Sequence, residues 1–590
     1  MGRAPVFRRV GLEVFAALLG VRDEPIDDRQ VPPGFEIIGR ARRAAFGAGP
    51  ECAFDSLGGQ YWIVGRLRLD AREDLRARLG PSAATASDAR LCLLAYAKWG
   101  ETFTDVLAGD FAFALWDDEL QCLLAVRDRL GVRTLFHSKT AEAWLVSDSL
   151  DWLAERSATR DALDDYWIAD FLVLGVSREF ERTIYRDIKR VAPAHLLKLG
   201  AGGLALRRYW RLEIAEPVYL RRAEAYHGRF RELLSRAVAD RLPAGRVGIA
   251  MSGGLDSTTL AATAVEATGD PSRIIAECEH YERLMHIRED HYASLAARHL
   301  RIELRIRPAD DIAYDPQWRA REVRSAEPMT ALVNAHNIQR VGREMAAVAH
   351  VWLDGEGPDN ALTLERNAYL GWLRQRRSWR RLAQALIGYA AAKGLAGWAQ
   401  TIGRHTRLQH EAELEPVDTL PAWMRRDFAG RLKLRERQES LGLGGDMSHP
   451  WHPTSIGSFT SPIWQSHFDI RAFEGELGGL EWRYPYLDLR VLEFMLSVPP
   501  VPWGWKKRLV REAMRGRLPA EVLARRKTPL DCYPEVATMR ELGLPVLPDA
   551  NGVAGYVDPH LLPDRAAADS DLAASLNVHA LDHWLAGKFK

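Results

Sequence analysis

The sequence predicts two successive domains: a layered α+β domain over residues 1 to about 212, then an α/β domain on a parallel sheet over residues 213–590. The first rests on short β-type runs separated by Gly and Asp turns, namely Tyr61-Trp62-Ile63-Val64, Phe111 to Trp116 and Ala143-Trp144-Leu145-Val146. A helical window, Asp88 to Trp99, carries apolar Leu91, Leu94, Ala95 and Trp99 on one face. The second rests on strand-like runs at Val247 to Met251, Ile274 to Ala276, Ile302 to Ile306 and Val348 to Leu353, with helical stretches between them. Strands that alternate with helices need crossover connections, and crossovers make neighbouring strands parallel. Length agrees, because 590 residues at roughly 150 per domain allow two to four domains.

Composition is that of an ordinary globular chain, 47% hydrophobic and 27% charged. The 80 Lys and Arg against 79 Asp and Glu leave a formal charge of +1. So balanced a chain has no global field for nucleic acid or an anionic bilayer, and neither is expected as a partner. Five cysteines, Cys52, Cys92, Cys122, Cys278 and Cys532, are too scattered for a disulfide framework or a CxxC metal site. They point to a reducing, cytoplasmic compartment. Arg3, Arg8 and Arg9 before the apolar stretch Val10 to Val21 mimic a secretory signal. Glu13 interrupts that stretch and Arg22-Asp23-Glu24 follows without a small-x-small cleavage site, so no signal is expected. No uncharged apolar run of about 18 residues occurs elsewhere, and no stable membrane insertion is expected.

Residues 366–450 form a basic, Trp-rich region. Between Arg366 and Arg407 there are nine Lys or Arg and no Asp or Glu, while Trp372, Trp379, Leu382, Leu386 and Tyr389 fall at helical spacing. The pattern predicts a basic amphipathic helix or helix pair. Two uses fit it: a solvated basic face over a buried aromatic stripe, or a surface that receives an acidic or flexible ligand. Trp398, Trp423, Trp451 and Trp464 lie beyond the helix.

The sharpest signal is Ser252-Gly253-Gly254-Leu255-Asp256-Ser257, directly after the strand-like run 247–251 and before the helical run from Thr258. A strand, a Gly-rich turn and a helix N-terminus together present backbone N–H groups and a positive dipole end to an anion. A plain tight turn would also use Ser-Gly-Gly, but it would not need the flanking strand and helix. The loop lacks the lysine of GxxxxGK[ST] and is not a GxGxxG turn.

This loop resembles the pyrophosphate-binding loop of the ATP pyrophosphatases, and the wider chain resembles the asparagine synthetase superfamily. Leu353-Asp354-Gly355-Glu356-Gly357-Pro358-Asp359 is similar to the family's acidic glycine motif, Arg483-Tyr484-Pro485-Tyr486-Leu487-Asp488 to its R-x-P-F-L-D, and Lys507 to Glu512 with Leu518-Pro519 to its late lysine segment. In the first domain Gly109 to Phe113 and Arg127 to Val132 match as well. The resemblance implies an N-terminal class II glutamine-amidotransferase-like sandwich of the N-terminal nucleophile type, residues 1–212, followed by an adenine nucleotide α-hydrolase-like ATP-pyrophosphatase domain, residues 213–590. Its cofactors are ATP and Mg²⁺. It implies that Ser252, Gly253, Gly254, Asp256, Ser257 and Gly355 bind the nucleotide and that Asp256 and Asp359 hold Mg²⁺. Lys507 would stabilise transition-state charge, and Glu356 would orient or deprotonate the attacking amine. The chemistry needs such groups, because negative charge builds on phosphate when a carboxylate displaces pyrophosphate from ATP.

Two departures matter. Glutamine-dependent members expose a cysteine after removal of Met1, and this chain begins Met1-Gly2-Arg3; the family's Asn-Gly-Glu segment is replaced by Val64-Gly65-Arg66. The first domain is therefore expected to be a scaffold without glutaminase activity, and the nitrogen nucleophile an amine on the substrate. Asn360 stands where the family usually has an acid. Branches with this loss include β-lactam synthetases and lasso-peptide cyclases, the latter joining a peptide's N-terminal amine to an internal Asp or Glu side chain. Pre-folding some ten peptide residues costs on the order of 10 to 20 kcal/mol, so a cyclase needs a large site, and the Arg- and Trp-rich region 366–450 adds surface of a suitable kind. The first-domain segments Leu69 to Leu75 and Gly109 to Asp117 are also most similar to the cyclases. The cyclase is the favoured reading. It implies a precursor peptide, a leader-peptide-binding protein and a leader peptidase as partners. The alternatives are a small-molecule amide synthetase, β-lactam synthetase-like or ammonia-dependent, and a nucleotide-binding regulatory protein without turnover.

Overall fold

The computed structural model describes residues 14–20, 36–40, 43–49, 52–157, 162–285, 288–321, 323–393, 420–526, 533–547 and 552–588. Arg3, Arg8 and Arg9, the Met1-Gly2 start, Trp398, Arg404, Arg407 and Cys532 lie outside the described residues, whereas residues 14–20 of the signal-like apolar stretch are described and include a buried strand, Phe15–Gly20. The chain divides into two units, residues 1–168 with 179–211, and residues 169–178 with 212–590.

The first unit holds two six-stranded antiparallel sheets. Its strands are β1 (Phe15–Gly20), β2 (Glu36–Arg40), β3 (Ala44–Ala48), β4 (Ala53–Leu57), β5 (Tyr61–Leu69), β6 (Gly109–Asp117), β7 (Cys122–Arg127), β8 (Phe136–Lys139), β9 (Ala143–Ser147), β10 (Ile188–Arg190), β11 (His195–Gly200) and β12 (Gly203–Arg208). One sheet runs β10-β8-β9-β1-β3-β2, the other β12-β11-β7-β6-β5-β4. Strand β6 shows why both faces are dry. Successive side chains point to opposite faces, so Ala112, Ala114 and Trp116 meet Phe15, Ala17 and Leu19 of the other sheet, while Phe111, Phe113 and Leu115 meet Leu91, Leu93 and Ala95 of helix Asp88–Trp99. That helix opens on Ser87, whose side chain accepts from the Arg90 N–H, and stops at Gly100.

The second unit is built on a five-stranded parallel sheet, ordered β15-β14-β13-β16-β17, from β13 (Val247–Ala250), β14 (Ile274–His280), β15 (Glu303–Pro308), β16 (Val351–Leu353) and β17 (Glu481–Arg483). Order reverses at β13: the chain steps outward through β14 to β15, then returns to the other side for β16. Ligands bind at such a reversal, outside the carboxyl ends of the two strands. Among the described residues, no helix is long and apolar enough to cross a membrane.

Three features differ from the sequence reading or add to it. Residues 169–178, assigned by sequence to the first domain, cluster with the second unit. Arg178 donates to the Gly442 carbonyl, and Asp170 takes the Arg437 guanidinium at 2.9 Å. The edge strand β17 was not anticipated, because its three residues, Glu481-Trp482-Arg483, run into the motif at Arg483 and are too few to show a pattern. The stripe of region 366–450 is broken: helices Arg366–Gln375 and Trp379–Lys393 form the pair, but Arg377 between them adopts a left-handed φ of 54° and resets the phase. Trp372 and Tyr389 are buried, whereas Trp379 is 60% and Leu386 44% exposed.

Candidate active site

The site forms where β13 and β16 end. After β13 the chain turns through Ser252 and Gly253 into helix Leu255–Thr268. Gly253 needs its φ of 66°, and a Cβ there would stand 2.6 Å from the Ala293 nitrogen and the Glu289 carbonyl oxygen, so only glycine fits. Gly254 caps the helix without a side-chain bond to its leading N–H groups, which suits an anion at that end. Thr258 Oγ1 donates to the Gly254 carbonyl at 2.7 Å and fixes the turn from inside.

After β16, Asp354 is buried and accepts the Glu356 N–H at 2.9 Å. Its second oxygen meets Arg471 at 3.0 Å. Gly355 lies close to Ser257, and a Cβ would stand 3.4 Å from the Ser257 nitrogen. Gly357, at φ 128°, leads into the short helix Pro358–Ala361 that carries Asp359. The third contributor is the turn Trp505–Lys507, where Lys506 and Lys507 are both left-handed, at φ 51° and 53°.

These three segments bring one cation between two carboxylates. The Lys507 ammonium bonds Asp256 and stands 2.6 Å from Asp359 Oδ1. Burial opposes the charge, but Asp256 and then Asp359 hold the Lys507 pKa above the ordinary lysine value. Tyr486, fully buried, donates to the Asp256 carbonyl at 2.9 Å, and Asp488 of the same motif pairs with buried Arg241 at 2.8 Å. The Arg483 to Asp488 motif thus buttresses the nucleotide-type loop rather than facing a ligand.

A cavity of about 1300 Å³ opens over this centre. Ser252, Gly254, Asp256 and Ser257 line it from the first loop, Gly355, Glu356 and Asp359 from the second, and Lys507 from the third. Gly253 is packed behind the first loop, against the segment 289–293. Asn360 turns elsewhere and donates to Ser458 Oγ at 2.6 Å. Glu356 is raised in pKa by loss of water around it and then by Asp354, with Asp359 and Asp256 adding and Arg471 opposing. Sequence reasoning did not single out Arg471, Arg511, Arg525, Glu277 or Glu279, which also line the cavity. The two glutamates could have been found, since they end the strand-like run 274–276 next to the reversal point. Arg511 could have been noted inside the Lys507 to Glu512 segment, whereas Arg471 and Arg525 could not, because only folding brings them there.

In the first unit, Val64-Gly65-Arg66 lies on β5. Arg66 Nε stands 3.0 Å from Asp148, whose other oxygen accepts the Phe15 N–H at 2.8 Å. Arg127 is fully buried and donates to the Arg133, Val191 and Gly131 carbonyls, and Asp128 accepts the N–H groups of Gly131, Val132 and Arg133, so the Arg127 to Val132 motif is a structural corner.

Comparison with known proteins follows this geometry. Residues 60–210 match the family described as "Glutamine amidotransferase domain", and residues 229–586 the family described as "Asparagine synthase". Asparagine synthetase [glutamine-hydrolyzing] 3 of Bacillus subtilis is 32% identical over 33% of this chain and 31% of its own length. Amidase chyE of Penicillium rubens is 24% identical over 70% of this chain and 66% of its own. A glutamine aminotransferase class-II domain protein from Silicibacter pomeroyi, 14% identical over 33% of this chain and 98% of its own, superposes with a TM-score of 0.21, too loosely to bear on the fold. The chain therefore spans about a third of the length of the first of these relatives and just under two thirds of the second. The Asparagine synthase match runs over more than half of the 590 residues and takes in the parallel sheet, the Ser252 loop, the Asp354 to Asp359 turn and Lys507: the chain belongs to the asparagine synthase family.

Proposed function

We propose that the chain is an ATP-dependent amide-forming ligase acting in the cytoplasm. Its substrate in this reading is a precursor peptide: an Asp or Glu side chain is adenylated and then joined to the peptide's own N-terminal amine, closing a macrolactam. The observation that carries the ligase reading is the placement of Lys507 between Asp256 and Asp359 at the mouth of a glycine-rich loop and helix N-terminus.

In the first step the substrate carboxylate attacks the α-phosphorus of ATP. An oxygen–phosphorus bond forms, the bond from that phosphorus to the bridging oxygen breaks, and pyrophosphate leaves. The charge gathering on the departing phosphates meets the Lys507 ammonium and the backbone N–H groups after Gly254. Asp256 and Asp359 offer the hard oxygen donors Mg²⁺ takes, and both already face one cation, so the donor set fits the ion. When bound, Mg²⁺ supplies neutralisation of phosphate charge. In the second step the amine attacks the acyl carbon and AMP leaves. Glu356, open to the cavity with a raised pKa, is the group on hand to take the amine proton.

One observation supports a substrate larger than an amino acid, and a second supports an amine carried by the substrate itself. The cavity of about 1300 Å³ exceeds the roughly 300 to 1000 Å³ usual for one small ligand, which leaves room beside a nucleotide. Arg66, bound to Asp148, puts a guanidinium where the family's glutamine-binding segment carries a carboxylate, which supports an amine supplied by the substrate. A leader-peptide-binding protein and a leader peptidase are the partners this reading requires.

The test is ATP–pyrophosphate exchange with candidate substrates. Exchange that depends on a leader-free peptide bearing an internal Asp or Glu, with loss of one water from the peptide mass, is the expected result. Exchange driven by free amino acids instead would make the chain a small-molecule amide synthetase, and nucleotide binding without exchange a regulatory protein.

A further inference from the structure

We propose that Arg511 is a positioning residue for Lys507, acting through a two-arginine brace that ties the Lys506-Lys507 turn to the Ser252 loop. The inference rests on the ligase reading for its kinetic consequence, while its structural consequence does not.

Lys506 and Lys507 are consecutive non-glycine residues in left-handed backbone, at φ 51° and 53°. Such backbone persists only where its surroundings over-determine it. One constraint lies on the Asp359 side. Gly504 sits so close that a Cβ would be 3.0 Å from the Leu362 and Thr363 carbonyl oxygens, just beyond the helix that carries Asp359. The other is Arg511. Its Nε donates to the Lys506 carbonyl at 2.6 Å, one terminal nitrogen to the Leu523 carbonyl, and the other to the Arg525 carbonyl at 2.8 Å. The Arg525 side chain in turn donates to the Ser252 carbonyl at 3.0 Å, with its guanidinium 4.7 Å from the centre of the Tyr292 ring.

A continuous path therefore runs from the lysine turn through Arg511 and Arg525 to the loop that bears Asp256. The planar guanidinium matters, since it directs three donors at three carbonyls, and an ammonium has no such fork. Burial lowers the Arg511 pKa and the charge of Asp256 opposes that; with all three nitrogens turned to main chain, the group serves as a brace.

The experiment uses the full chain with Arg511→Met, Arg511→Gln and Arg511→Lys. The first readout needs no turnover: brief acetic anhydride labelling followed by peptide mass spectrometry, comparing Lys507 with exposed Lys506 as the internal reference. In the wild type Lys507 is held as an ion-paired ammonium and labels slowly. All three variants are expected to raise the Lys507 to Lys506 labelling ratio at least fivefold, and free guanidinium is expected to reverse part of that rise in Arg511→Met. The second readout is kinetic: a fall in kcat of tenfold or more, with the ATP KM within threefold. An unchanged labelling ratio in any variant that melts like the wild type overturns the proposal. So does a rise in ATP KM with kcat preserved, which would make Arg511 a phosphate ligand. If the wild type shows no exchange with any carboxylate while the labelling ratio still responds, the ligase reading fails and the brace stands.

Discussion

At the scale of single residues, the centre is defined by what surrounds Lys507. Two carboxylates, each in the first turn of its own helix, converge on one ammonium, so neither is a bystander of the other. Asp256→Asn and Asp359→Asn are each expected to reduce Mg²⁺-dependent pyrophosphate exchange by more than about a hundredfold, because groups that hold one charge act as a unit. Exchange within about tenfold of the wild type in both variants would remove the assignment. In the proposed reaction Glu356 acts in the second step and not in the first. Glu356→Gln keeps the shape but cannot accept a proton, so adenylation should survive while amide formation falls by roughly 10² to 10⁴. Exchange and product formation, measured side by side, check this; equal losses in both would place Glu356 in nucleotide binding instead.

At the scale of elements, the strand-like runs 247–251, 274–276, 302–306 and 348–353 reappear as β13 to β16: β13, β14 and β16 are buried and apolar enough to be read directly, whereas β15 is a half-exposed edge strand that shows only through Leu304 and Ile306. The loop at Ser252 was legible for the same reason, being bounded by a strand and a helix with their own signals. The roles of Arg471, Arg511 and Arg525 were not: Arg511 falls inside the Lys507 to Glu512 segment, but its bonds and those of Arg525 to main-chain carbonyls leave no local pattern, and Arg471 meets Asp354 only through the fold. The helix pair was legible but its phase was not: Arg377 ends the first helix in left-handed backbone, and helix Trp379–Lys393 then starts a new face. Arg377→Gly relieves that conformation and is expected to stabilise the second unit by about 0.5 to 1 kcal/mol, read as a shift in denaturant midpoint; no shift would mean that the Arg377 side chain compensates. The four arginines of this region also divide. Arg376 pairs with Glu216 at 2.8 Å and Arg381 lies 3.9 Å over the Tyr219 ring, so these two have partners within the fold; all four are exposed, and Arg377 and Arg380 are the ones to test. If the pair receives an acidic peptide, Arg377→Gln with Arg380→Gln should raise peptide KM in a salt-sensitive way and leave ATP KM alone. Silence of both constants would make these arginines a solvated face.

At the scale of the whole molecule, acid adds protons to histidines and carboxylates throughout the chain, so the contribution of one buried group has to be isolated by substitution. With two units, one free energy of unfolding does not describe the chain, and the response must be read locally. His579 is the group to follow in the second unit. It lies 5% exposed on helix Asp569–Lys588, which packs Leu572 and Leu576 against Tyr314, Trp318 and Phe473. Burial, then the nearby Arg319, lowers its pKa to about 3. The folded protein thus binds the proton less readily than the unfolded chain does. Its contribution is fully present above the unfolded value near 6.5 and is lost as pH falls from there toward 3. At 1.36 kcal/mol per unit, the loss reaches about 2 kcal/mol by pH 5. Hydrogen exchange of helix Asp569–Lys588, corrected for intrinsic rates, should therefore lose about thirtyfold in protection between pH 7 and pH 5. His579→Leu removes the titrating group and should hold that ratio within about threefold, whatever it does to absolute stability. An acid response as steep in the variant as in the wild type would assign the sensitivity to other groups.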